Sequence, residues 1–128
     1  MSEVMNEMDQ EMTQSELELQ ALAQIRQAGL PEPEMQFEGV PGRKYRFDFA
    51  WPDQGIAVEI HGGAWMGKGH TGGKGFSEDR RKINLANLTG WLVFEFTKDM
   101  LDNDELLPVL QDAFDAIDEA EEAEAVDG

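Results

Sequence analysis

The chain has 128 residues, no cysteine and a formal net charge of −17. That length supports one domain around one core, and the missing thiols exclude disulfides, cysteine-type zinc sites and a thiol nucleophile. No apolar run reaches the roughly 18 residues of a membrane span, and the acidic stretch Met1 to Glu11 fits neither a signal nor a transit peptide.

Residues 1–14 are rich in Met, Glu and Gln without a clear period, which predicts a flexible acidic lead-in. Ser15, with Glu18 three residues on, has the form of a capping box. Leu17, Ala21, Leu22, Ile25 and Ala28 then recur at helical spacing until Gly29 and Pro31. A short strand is expected around Met35 to Glu38, then a turn at Val40-Pro41-Gly42. Tyr45 to Ala50 and Ile56 to His61 alternate like half-buried strands, and Pro52-Asp53-Gln54-Gly55 joins them as an antiparallel hairpin near the middle of a sheet. Residues 62–75 hold seven glycines and read as a long functional loop. A helix from about Ser77 to Thr89, capped by Ser77, a strand at Trp91 to Phe96 and a last helix from Asp102 to about Glu122 complete the chain. Trp51 and Trp91 are expected in the core. The order is α-β-β-β-α-β-α, one domain over 15–118, with an acidic tail at 119–128 that frays.

Charge is unevenly distributed. Residues 1–18 carry six acids and residues 99–128 twelve, with no Lys or Arg in either, while residues 19–98 carry nine acids and all ten bases. The bases cluster at Arg43, Lys44 and Arg46, at Lys68 and Lys74, and at Arg80, Arg81 and Lys82. Such clusters meet phosphates locally even in an anionic chain.

Parity points to chemistry. If Tyr45, Phe47 and Phe49 share one face with Ile56, Val58 and Ile60, then Asp48 and Glu59 share the other as near neighbours. Adjacent carboxylates repel and lose hydration, and a hard cation such as Mg²⁺ removes that cost. The purely structural alternative pairs one carboxylate with Arg43 or Arg46, or leaves it in solvent. Trp65 is equally a stacking residue for bases or a cover for the core edge. The run Gly67 to Gly75 is not a P-loop, since Lys68 stands where the first Gly belongs and Gly75 where Ser or Thr does. His61 and His70 alone make a weak zinc set, and no Gly-x-Ser-x-Gly elbow occurs.

Arg46-Phe47-Asp48-Phe49-Ala50-Trp51-Pro52, Ala57-Val58-Glu59-Ile60-His61-Gly62-Gly63, His70, Gly75-Phe76, Asp79 to Asn84, Gly90-Trp91 and Phe96-Thr97 fall in an order that resembles the PD-(D/E)XK endonuclease superfamily. The branch is the one related to very-short-patch repair endonucleases, among small bacterial and phage proteins. The resemblance covers about Ser15 to Met100. It implies an α/β, restriction-endonuclease-like α-β-β-β-α-β core with a mixed central sheet flanked by helices. It also implies metal-dependent hydrolysis of DNA in the cytoplasm, with Mg²⁺ or Mn²⁺ on Asp48 and Glu59, the Ile60 carbonyl completing the site and Glu18 reaching it from the first helix. His61 stands where the motif has Lys. It would serve as a base, with Lys82 supplying the displaced cation and His70 a loop histidine near the scissile phosphate. Asp79 is a second-sphere acid or, more simply, a first-turn helix carboxylate.

Arg43, Lys44, Lys74, Arg80 and Arg81, with Trp65, are the expected DNA contacts. Two other classes compete: a catalytically silent nucleic-acid or protein binding module on the same fold, and an acidic DNA mimic that uses the 99–128 segment. A milder variant makes the tail autoinhibitory. No membrane partner is expected, and the sequence leaves oligomeric state open, a homodimer being one arrangement.

Overall fold

The computed structural model describes residues 12–62 and 74–127, with side chains to residue 125. Helix α1 (Gln14–Gln27) opens on a capping box, but not the expected one. Thr13 Oγ1 accepts from the Glu16 N–H at 3.1 Å, and Glu16 returns an acceptor to the Thr13 N–H at 2.8 Å. Thr13 and Glu16 have the same spacing as Ser15 and Glu18 and start the helix earlier, so Glu18 is not spent on the cap. Leu17, Ala21, Leu22 and Ile25 form the buried stripe.

The strands are β1 (Glu34–Phe37), β2 (Phe47–Trp51), β3 (Ile56–His61) and β4 (Leu92–Thr97). They form one mixed sheet in the order β1-β2-β3-β4. The first two pairings are antiparallel, so β2 and β3 are the expected central hairpin. β4 lies parallel to β3, which requires a crossover, and α2 (Lys74–Leu88) supplies it. That helix begins before Ser77, its expected cap. Phe76 and Arg80 lie one turn apart, with the guanidinium 4.9 Å from the ring centroid, and this contact belongs to the early turn.

The last helix also departs from expectation. Thr97 caps a short α3 (Lys98–Asp102), and α4 (Leu106–Asp127) follows a break in which Asp104 takes φ 60°. Pro108 explains the break, because in the first turn of α4 its missing N–H has no partner to lose, whereas deeper in a continuous helix it would. α4 then runs past Glu122 to Asp127, where the sequence suggested fraying. The lead-in at 1–11 lies outside the described residues.

Helices cover both faces of the sheet. Against α1, α3 and α4 lie Phe49, Trp51, Ile56, Val58, Ile60 and Phe96. Against α2 lie Phe47, Ala50 and Ala57, with Ala86 from the helix and with Tyr45 and Trp91 partly buried. The expectation that Tyr45, Phe47 and Phe49 share one face is therefore corrected: Phe47 belongs to the α2 layer and Phe49 to the α1 layer. Alternation slips at Asp48. The partner strand slips with it, since Met35 pairs with Phe49 and Phe37 with Phe47, while Gln36 between them takes φ 51°. Among the described residues no helix is long and apolar enough to cross a membrane.

Candidate active site

The slip opens the hairpin at one end. Regular pairing of β2 with β3 runs from Trp51 opposite Ile56 to Phe49 opposite Val58. Beyond it, side chains take over the backbone donors. Glu59 Oε2 accepts from the Asp48 N–H at 2.9 Å, and Asp48 Oδ2 accepts from the Ile60 N–H at 2.7 Å. The two carboxylates thus converge in the gap between the strands. They reach it from different sides rather than from the shared face that parity suggested, because Asp48 meets Glu18 of α1 and Glu59 meets Lys82 of α2.

Asp48 is half-buried, and that burial first, then the nearby charge of Glu59, pushes its carboxyl above the usual range. Burial likewise raises Glu18, and the nearby charge of Asp48 adds to the rise. Two amides enter the cluster. Gln14 Nε2 donates to Glu18 at 3.0 Å and to the Ile60 carbonyl at 2.7 Å. Gln36 Nε2 donates to Glu18 Oε1 at 3.1 Å. Neither glutamine carries a signal that sequence reading picks out, since an amide in a polar helix or strand end is unremarkable.

Lys82 is the one cation from the sequence list that enters the cluster among the described residues. Its Nζ donates to Glu59 Oε1 and, at 3.0 Å, to the Arg46 carbonyl. It is 13% exposed, against 9% for its partner Glu59. Arg46 pairs with Glu38 at 3.4 Å rather than with Asp48 or Glu59. His61 turns toward β4, where its Nε2 lies 2.9 Å from Glu95 Oε1 and Arg80 reaches the same oxygen at 3.3 Å. The hydrogen bond to Glu95 raises the imidazole above its usual range and holds Glu95 below the carboxylate range. Glu95 was missed in sequence, although it stands opposite Glu59 in the parallel register.

Arg43 and Arg81 line an open groove of about 520 Å³ between α2 and the segment before β2, with Tyr45, Glu78 and Asn84. Arg81 there also pairs with Glu78 at 2.6 Å. Lys44 and Lys74 are exposed. Asp79 acts on His61 through its charge. His70, Trp65 and Lys68 lie outside the described residues.

As arranged, no group of three or more His, Cys, Asp or Glu among the described residues is set to hold a metal ion. The donor chemistry nevertheless fits a hard divalent cation: three carboxylates and a main-chain carbonyl converge, and the raised Asp48 and Glu18 mark a burial cost that such a charge would remove.

No protein-family model matches the chain, and no solved structure does. Uncharacterized proteins from two strains of Mycobacterium tuberculosis are each 31% identical to it over 88 residues, which is 67% of this chain and 31% of theirs. The chain spans about a third of the length of the curated relatives it matches.

Proposed function

We propose that the chain is a metal-dependent nuclease of the PD-(D/E)XK kind that hydrolyses phosphodiester bonds in DNA, in the cytoplasm of a bacterial cell. One observation carries the reading: Glu18, Asp48, Glu59 and Lys82, drawn from two strands and the helices on both faces, converge where the central hairpin splays. Fold stability alone gives little reason to crowd three acids there. Asp48, Glu59, Glu18 and the Ile60 carbonyl would hold Mg²⁺ or Mn²⁺. When bound, such a cation activates a water and neutralises charge on the phosphate.

The protein's own groups do the rest. Lys82, anchored by Glu59 and the Arg46 carbonyl, presents a fixed positive charge beside the acids and orients a water or a phosphate oxygen. The His61–Glu95–Arg80 group places an imidazole and a guanidinium on the same side of the sheet. Arg43 and Arg81 line the groove into which the flanking backbone would run.

The test is a cleavage panel of linear, nicked, mismatched and branched DNA with Mg²⁺, Mn²⁺ or EDTA. Asp48→Asn keeps an acceptor for the Ile60 N–H, so it should fold and melt near wild type while losing at least about 100-fold in cation-dependent cutting. Wild-type cutting by that variant ends the proposal. Retention of DNA with no cation-dependent turnover by the wild type selects the silent binding module instead. That rival draws on the Lys82–Glu59 ion pair and the Gln14 bond to the Ile60 carbonyl, which already satisfy two of the donors.

A further inference from the structure

We infer that Gln36 is a positioning residue of the cation site: its carboxamide, aimed by a left-handed backbone, holds Glu18 beside Asp48 as one ligand pair. The inference rests on reading the acid cluster as a cation site. Three observations support it.

The first is the backbone. Gln36 takes φ 51° between Met35 and Phe37, both of which pair normally with β2. The other non-glycine residue with positive φ among those described is Asp104, at the break between two helices. Asp tolerates that region because its short side chain bonds locally, and Gln has no such tolerance. A strained residue in the middle of a strand points to something its side chain must do.

The second is what the side chain reaches. Its Nε2 donates to Glu18 Oε1 at 3.1 Å, from the ladder position that faces Asp48. Glu18 and Asp48 lie on different elements and repel each other, so without that donor they would turn apart.

The third is location. Gln36 stands opposite Asp48, on the rung where both strands change phase. The left-handed turn keeps the amide on the α1 side with Asp48 and delivers Phe37 to the α2 side with Phe47. Groups that orient ligands in this way typically set metal affinity by about 10- to 100-fold.

The experiment is calorimetric titration of Mn²⁺ into wild type, Gln36→Gly and Gln36→Ala, with thermal melts of the cation-free proteins. Glycine removes strain and amide together, while alanine removes the amide alone. The expected result is a glycine variant melting at or above wild type, with both variants binding Mn²⁺ about 10- to 100-fold more weakly. A strain that serves only the strand predicts otherwise. Mn²⁺ binding by the glycine variant within twofold of wild type overturns the positioning role and leaves the cation site standing. A wild type that binds no Mn²⁺ overturns both. If the glycine variant unfolds at the titration temperature, the alanine variant decides by the same criterion.

Discussion

His61 and Glu95 sit on neighbouring parallel strands, and their contact decides how each titrates. The bond to Glu95 outweighs the burial of the imidazole, so His61 holds its proton to higher pH than usual, and the same bond holds Glu95 ionised to lower pH. The raised imidazolium contributes stability that is complete below its ordinary value of 6.5 and fades as pH rises through its folded value. The lowered carboxylate contributes stability that is complete above 4.5 and fades as pH falls through its own folded value. The pair therefore acts in full between those two ordinary values. Glu95→Gln should move the His61 midpoint, followed by NMR of the imidazole protons, down to or below the ordinary histidine range, since burial then acts without its main opponent. A midpoint that stays raised would assign the shift to Glu59 and Asp79, whose charges also face the ring. At this scale the sequence exposed the acids and Lys82 but not Gln14, Gln36 or Glu95. Acidic pairs on strands announce themselves through their cost, whereas amides and a single strand glutamate carry none that composition can reveal.

At the scale of elements, alternation located the central hairpin to within a residue or two, because half-buried strands must alternate, and the apolar run Trp91 to Phe96 located β4 to within one. The same rule misplaced the aromatic face, since it assumes an unbroken pleat. Helix starts moved because a chain can hold more than one capping box, and only packing selects between them. Another element depends on a contact that no periodicity predicts. Gly39, in the connection between β1 and β2, lies under Trp91, whose Nε1 donates to its carbonyl at 2.9 Å. A Cβ there would stand 2.6 Å from the Trp91 ring and 2.8 Å from Phe47. Both rings are packed, Phe47 completely, so neither yields easily. Gly39→Ala should cost about 1–3 kcal/mol in chemical denaturation, and a variant as stable as wild type would show that the tryptophan can swing away. Because Phe47 adjoins Asp48, a destabilised variant should also cut less.

The whole molecule is polar in its charge as well as its fold. Ile117 is the last apolar contact of α4, and residues 118–125 beyond it are all exposed, five of them acids. That half of the helix projects negative charge while the bases remain on the other elements. Deleting residues 119–128 should raise affinity for a DNA duplex in fluorescence anisotropy at low salt. The gain should shrink as salt is added, because the screening length falls from about 30 Å at 0.01 M to about 8 Å at 0.15 M. Equal affinity at low salt would mean the helix end never approaches the strand. The sequence carried this helix to about Glu122, but its run on to Asp127 was not legible from the acidic, alanine-rich tail, whose composition suits a solvated helix and a frayed end alike.

The paired change of phase in β1 and β2 bears on mechanical precision. Phe47 and Phe49, immediately on either side of Asp48, are both fully buried, one in each of two separate interiors. The backbone between them is moored from above and below the sheet, and neither ring can shift without opening a void in its own layer. Glu18 and Gln36, on more exposed segments, must come to that acid rather than it to them, so Asp48 is the fixed datum from which the rest of the cluster takes its bearings.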